Sequence, residues 1–322
     1  MQKALARLLH TPGQPTEPQT PTTASTMRIL IFGASGRTGQ IVQRIAAAAG
    51  HHTLTPAHAD CPLENTHQLS NYVLTSNADL IINCAAISNI ETCAADPLQA
   101  HLINALAPAT MALACRHTGA RFIHLSTDYV LDGRRPGIRN ESAKCRPINC
   151  YAETKREGEY QTLEANPAAI IARVSWVCGN PARPSFIEST LTRALAGQPL
   201  AAVADKYSLP TAAADIARAA LHLATTEHRG VIHLTSSGAP LSWWHCATLA
   251  LQAAVQQGAL AEAPAIQQQQ LDSVPFFREP RPRHTAMDNT LLTTTLGIPM
   301  PTAEQTIHAA VAAHVSQRFC RD

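Results

Sequence analysis

The chain has 322 residues, enough for roughly two domains or one large one, and its 45% hydrophobic and 15% charged content excludes a disordered polyampholyte. A formal net charge of +2 with 4% aromatic residues supplies neither the basic field nor the stacking platforms that nucleic acids need. No apolar run approaches the roughly 20 residues that cross a bilayer, so the expected partner is a small molecule, with no nucleic acid and no membrane.

Residues 1–26 carry Pro12, Pro15, Pro18 and Pro21 among Thr and Gln, a composition that forbids helix and predicts either a disordered extension or a start upstream of the true one at Met27. Arg7 interrupts an apolar stretch already too short for a secretory signal. The nine cysteines form no C-x-x-C pair and no zinc-type spacing with His, which predicts reduced thiols, a cytoplasmic setting and no metal.

From Met27 the pattern alternates strand and helix. "RILIFG" is a buried-strand run, and "GQIVQRIAAAAG" follows with helical spacing. Between them lies "GASGRTG", with Gly33, Gly36 and Gly39 placed so that a helix N-terminus can hold a pyrophosphate. The second strand predicted near residue 54 offers Thr55, Ala57 and His58 but no carboxylate before Asp60. Without an acid to accept the adenosine ribose hydroxyl, a 2'-phosphate is not repelled, which favours NADPH, with NADH the alternative. Arg37 reads either as the partner of that phosphate or as a solvated first-turn residue.

Further strands are predicted at 79–86, 121–126, 168–176 and 230–236, and helices at 97–118, 151–165 and 212–226. The fold class is therefore α/β, a Rossmann-type doubly wound parallel sheet. Residues 177–207 and 239–322 break the alternation with "SWW", "QQQQ" and "VPFFREPRPRH", and predict a smaller C-terminal substrate lobe beside a dinucleotide-binding domain of residues 27–176 and 208–238.

Two further patterns carry chemistry. Ser126 and Thr127 end the strand 121–126, where parallel sheets bind ligands, although Ser-Thr-Asp there also suits a turn or a helix cap. Tyr151 and Lys155 are four apart and share one helical face. Only four of the 25 basic residues are Lys, so a Lys at this spacing is selected against the chain's bias to Arg. An ammonium beside a phenol favours its ionised form and makes it a stronger proton donor to a developing alkoxide. The competing reading is a surface Tyr stacked on a Lys stem.

These residues, with "INCAAISNIETCAADP", "PINCYAETKREGE", "ARVSWVCG", "SLPTAAADIA" and "RPRHTAMD", resemble the extended short-chain dehydrogenase/reductase superfamily and, within it, the dTDP-4-dehydrorhamnose reductase family, from Met27 nearly to the C-terminus. The resemblance implies a catalytic trio of Thr127, Tyr151 and Lys155. It implies cofactor contacts from Gly33, Ser35, Gly36, Arg37, Thr38, Gly39, Asp60, Cys61, Ala85 and Ala86 as well as Tyr151 and Lys155. It implies a nucleotide-sugar substrate held by Ser88, Ser126, Thr127, Asp128, Trp176 and Arg283, and leaves a homodimer open. The implied reaction is reduction of the C4 ketone of dTDP-4-dehydro-L-rhamnose, with Tyr151 as general acid. Two rivals stand: a dehydratase or epimerase of the same superfamily, and a noncatalytic cofactor-binding subunit like the beta subunit of methionine adenosyltransferase. Family dehydratases carry an Asp-Glu pair after the Thr, whereas Asp128 is followed here by Tyr129.

Overall fold

The computed structural model describes residues 26–319, so the predicted leader lies outside the described residues except for Thr26. Strand β1 (Arg28–Phe32) leads into α1 (Arg37–Ala48), β2 (His52–Leu54), α2 (Thr66–Thr75), β3 (Leu80–Asn83) and α3 (Ile90–Ala95). The chain continues through α4 (Pro97–His101), a wide π turn at Leu102–Leu106, α5 (Ala107–Thr118), β4 (Arg121–Thr127), α6 (Cys150–Ala165) and β5 (Ile170–Val174). Beyond these lie β6 (Val177–Cys178), α7 (Phe186–Leu195), β7 (Leu200–Val203), β8 (Tyr207–Ser208), β9 (Thr211–Ala212) and α8 (Ala213–Leu223). The described chain closes with β10 (Gly230–Leu234), β11 (Leu241–Ser242), α9 (Trp243–Gln256), β12 (Ile266–Gln269) and α10 (Ala303–Phe319).

Six strands form one parallel sheet in the order β10-β5-β4-β3-β1-β2. Successive side chains on each strand point to opposite faces, and both faces are apolar. Ile29, Ile31, Ile82, Ile123 and Ile232 pack under α1 and α8, while Leu30, Phe32, Ile81 and Phe122 pack under α2 and α5. Chain order reverses on either side of β1, so the carboxyl ends of β1 and β3 flank the crevice where such sheets take ligands.

The helix predicted over 97–118 is interrupted. Pro108 has no N–H to donate to the carbonyl four residues earlier, so the ladder opens into the π turn and restarts as α5. Buried Asn104 in that turn accepts from Ile87 N at 2.9 Å and donates to Thr154 Oγ1 at 3.2 Å, which fixes the β3–α3 loop against α6. Pro97–Thr118 is also long and apolar enough to span a membrane by length and composition, correcting the expectation that no stretch reached that length, but most of it is buried within the fold.

A second apolar core is built by α7, α9 and α10 around Leu191, Ala250 and Val311. Not all of residues 239–322 belong to it. Leu292 and Ile298 pack instead on the core beneath α1 and α8, because the sheet edge at β10 leaves apolar surface that only the returning chain can cover.

Candidate active site

The glycine loop closes over the carboxyl end of β1. Gly33 has φ +75°, and a Cβ there would lie 2.6 Å from the Ala85 nitrogen, so the β1 and β3 loops approach at a distance only glycine permits. A Cβ on Gly39 would strike the Gly33 carbonyl. The cap residue Gly36 offers no side chain to the first turn of α1, leaving its N–H groups free to receive an anion.

Two clefts meet at this loop. The smaller, about 510 Å³, is lined by Gly33, Ser35, Thr55, Ala57, His58, Cys61 and Ala85, with no carboxylate in its lining. Asp60 lines neither cleft; its carboxylate accepts from Ala57 N at 3.3 Å and closes the turn after β2. Burial pushes the Cys61 thiol up to about 11, which suits packing rather than reactivity. Gly39 lines neither cleft and serves the loop's geometry.

Arg37 is exposed on the first turn of α1, as the second of its two readings had it, but it has partners. It faces the other cleft, and its guanidinium donates to Arg183 O at 2.8 Å and Pro184 O at 2.9 Å. A helix start places the first-turn side chain on the α7 side of the loop, with its guanidinium held there rather than beside the end of β2.

The larger cleft, about 670 Å³, brings together Gly36, Thr38, Ala86, Ser88, Ser126, Thr127, Asp128, Tyr151, Lys155 and Trp176. Two elements deliver the proposed trio. Thr127 ends β4, and Asn149 caps α6 by accepting from Ala152 N at 2.9 Å, which sets Tyr151 and Lys155 on the first turns facing the β4 end. The Thr127 hydroxyl lies beside the Tyr151 phenol and donates to Asp128 Oδ1 at 3.3 Å.

The ammonium of the expected phenol–ammonium pair has partners of its own on β4. Burial pushes Tyr151 up to about 12, and the neighbouring Thr127 hydroxyl opposes that rise. The Lys155 Nζ turns inward, 2.7 Å from Leu125 O and 3.0 Å from His124 Nε2. Burial brings Lys155 down to about 8 despite the carboxylate of Glu159. Helical spacing alone could not foresee the carbonyl and the imidazole waiting on β4.

Ser126 and Asp128 line the cleft but are already engaged. Ser126 Oγ donates to Glu159 Oε1 at 2.6 Å, and Glu159 is gripped by Arg173 at 2.8 Å from both Nε and Nη2. Asp128, 4% exposed, accepts from Ser175 Oγ at 3.2 Å and Ser208 Oγ at 3.0 Å. Both residues hold the floor in place.

Trp176 stands in the cleft wall with φ +39°, a strained backbone for a bulky residue. Its ring stacks on Trp243 at 5.3 Å and lies 5.8 Å from Phe186. Arg283 lies elsewhere: its guanidinium is bound by Asp205 at 3.0 Å and Asp272 at 2.7 Å, and it lines neither cleft. Within "RPRH" Arg281 also lines neither cleft, but it reaches both oxygens of Glu91, next to the cleft residue Ile90, at 2.8 and 3.0 Å and lies 3.8 Å over Phe277.

Several site residues were missed in the sequence. Tyr129 faces Tyr151 edge-on at 6.0 Å, and buried Lys206 sits 4.6 Å over the Tyr129 ring, brought down to about 8 by burial. Phe186 and Trp243 complete the wall. A signal existed for Lys206, since the scarcity of Lys that marks Lys155 marks it equally. Among the described residues no group of three or more His, Cys, Asp or Glu is arranged to hold a metal.

The family model described as RmlD substrate binding domain matches residues 27–316. The chain belongs to the RmlD family of dTDP-4-dehydrorhamnose reductases, and is an oxidoreductase of that family. It is similar to the dTDP-4-dehydrorhamnose reductase of Mycolicibacterium smegmatis, 33% identical over 66% of this chain and 64% of that one, so the alignment spans just under two thirds of that relative. The Burkholderia thailandensis dTDP-4-dehydrorhamnose reductase is 27% identical over 90% of this chain and 100% of its own length. Among solved structures of the RmlD family, the Clostridium acetobutylicum dTDP-4-dehydrorhamnose reductase superposes with TM-score 0.82 at 25% identity, covering 90% of this chain and 100% of that one. The Bacillus anthracis dTDP-4-dehydrorhamnose reductase, solved in complex with NADP, shares the fold with TM-score 0.81 at 24% identity, covering 89% and 99%.

Proposed function

We propose that this chain reduces the C4 ketone of dTDP-4-dehydro-L-rhamnose to dTDP-L-rhamnose, with NADPH as the hydride donor and NADH as the alternative. The observation that carries this reading is the convergence of Thr127, Tyr151 and Lys155 on one cleft that opens onto the glycine loop. The carboxylate-free lining at Thr55, Ala57 and His58 supports NADPH, since nothing anionic there opposes a 2'-phosphate.

The residues fit a dinucleotide. Gly33, Ser35, Gly36 and Thr38 would receive its phosphates, with Cys61 and Ala85 beside the adenosine end and Ala86 and Lys155 beside the nicotinamide end. When bound, the reduced nicotinamide supplies a hydride. Tyr151 then gives its phenolic proton to the ketone oxygen as negative charge develops, and Thr127 orients that oxygen by donating a hydrogen bond. Ser88 and the Trp176 wall would bound the sugar nucleotide. On this reading the chain divides into a dinucleotide-binding body, residues 27–176 and 208–238 joined by Leu292 and Ile298, and a substrate lobe of 177–207 with the remainder of 239–322.

Elimination of water by a dehydratase needs a free acid beside the trio. Asp128 is held by two serines and followed by Tyr129, which supports simple reduction. The test is a spectrophotometric assay of NADPH and NADH oxidation with the dTDP-4-keto sugar. One cofactor consumed per sugar reduced supports the reading; conversion without net consumption points to an epimerase or dehydratase, and cofactor binding without turnover to a noncatalytic subunit.

A further inference from the structure

The floor beneath Lys155 is a cross-strand pair, with Asn83 on β3 directly opposite His124 on β4 and both side chains fully buried. Asn83 Oδ1 accepts from the Ala85 backbone N–H at 3.0 Å. A backbone N–H only donates, so this bond fixes the amide orientation and turns Nδ2 toward His124. Nδ2 lies 3.1 Å from His124 Nδ1, and an amide NH₂ likewise only donates. His124 Nδ1 is therefore the acceptor, and the neutral ring carries its proton on Nε2.

That proton points at Lys155 Nζ, 3.0 Å away. An ammonium has no lone pair to accept it, whereas an amine accepts it and still donates to Leu125 O at 2.7 Å.

We propose that Asn83 and His124 couple the charge of Lys155 to the ring tautomer: the neutral amine sits on the Nε2–H of His124, and the ammonium forms only as the ring proton relocates. Charging takes up one proton from solvent. Nε2–H passes to Nζ, the incoming proton settles on Nδ1, and the Asn83 amide must turn its oxygen to receive it, which releases the Ala85 N–H. His124 and Asn83 are thus positioning residues that act through Lys155 and touch neither cleft.

The groups bearing on Nζ from every side agree in part. Glu159, one turn along α6, favours the ammonium, as do the Cys84 thiol just after β3 and the Cys93 thiol within α3 once ionised. Burial opposes it, and Glu159 is itself engaged by Arg173 from β5 and Arg156 from α6. Burial, with Lys155 beside it, holds His124 well below the ordinary imidazole range, so the ring stays neutral and only its tautomer is free to change.

The proposal rests on the reductase reading for its consequence, but its main readout does not. Full-length protein labelled with ¹⁵N-histidine is examined without substrate at pH 9.5, above the Lys155 value of about 8, and His124 is assigned by the loss of its signals in His124→Gln. The expected wild-type ring is protonated on Nε2. In Asn83→Asp the carboxylate accepts from Nδ1–H, so the tautomer reverses and the alkaline limb of NADPH oxidation moves up by about one pH unit. A wild-type ring protonated on Nδ1 overturns the proposal even where Asn83→Asp fails to fold. A folded Asn83→Asp with unchanged tautomer and unchanged limb overturns it as well. Failure of the reductase reading would appear separately, as absent turnover in a wild-type protein whose ring state is still measured.

Discussion

Tyr151 and Lys155 are a residue-scale device whose parts were readable and whose wiring was not. With the phenol as proton donor, Tyr151→Phe is expected to lower kcat by about 10² to 10⁴ while NADPH affinity, read by fluorescence titration, stays unchanged. Loss of NADPH binding instead would make the phenol a structural group. Lys155 has a folded value near 8, below the ordinary 10.5, so between these values the unfolded chain binds more protons and the native state gains stability as pH rises. Lys206, also near 8, contributes in the same window. Lys155→Met is therefore expected to abolish turnover and to reduce the slope of stability against pH from 8 to 10.5 in urea unfolding. A slope equal to that of the wild type would show that Lys155 is not depressed in the native state. The Tyr-x-x-x-Lys spacing identified this pair because a helix repeats its face every three to four residues. It could not show His124 and Leu125 O on β4, since those partners lie 31 and 30 positions away and meet Lys155 only through packing.

Helix α6 is the element that joins chemistry to scaffold. Four residues after Lys155, Glu159 is fully buried and bound to Ser126, Arg156 and Arg173. Removing one partner of a buried ion pair strands the other, so Glu159→Gln is expected to cost about 3 to 5 kcal/mol in denaturant unfolding. The arginines hold the Glu159 carboxyl below the ordinary 4.5. Its contribution is present above that value and lost as pH falls through the lower, folded one, so the acid limb of wild-type stability below pH 4.5 should flatten in the variant. At the N-terminus of α1, Gly39→Ala forces a methyl against the Gly33 carbonyl. Overpacking of about 1 to 3 kcal/mol at the loop predicts about tenfold or greater weakening of NADPH binding, checked by titration against an unaltered affinity for the sugar nucleotide. The glycine pattern was legible because tight strand-to-helix turns demand it. Glu159 was not, since a carboxylate in a helix is ordinarily solvated and only the position of Arg173 on β5 explains its burial.

Across the whole molecule, the segment around Arg281 binds the parts of the site together. Arg281 clasps Glu91 at the start of α3, Asn149 donates to Pro280 O at 2.8 Å, and Lys206 donates to Pro282 O at 2.6 Å. Arg281→Ala is expected to raise KM for the sugar nucleotide several-fold and leave the dissociation constant for NADPH unchanged. A change confined to NADPH would place the segment on the cofactor side. The sequence by itself determined the alternating strands and helices, the glycine loop and the Tyr151–Lys155 face, because each follows from local periodicity or from residues close along the chain. Only the tertiary structure decided that Arg281 clasps Glu91 while Arg283 is held by Asp205 and Asp272, that Arg37 turns away from the end of β2, and that Lys155 answers to His124. Those outcomes depend on which distant segments share a buried volume, where one donor is taken by one acceptor and a neighbour two positions along the chain points elsewhere.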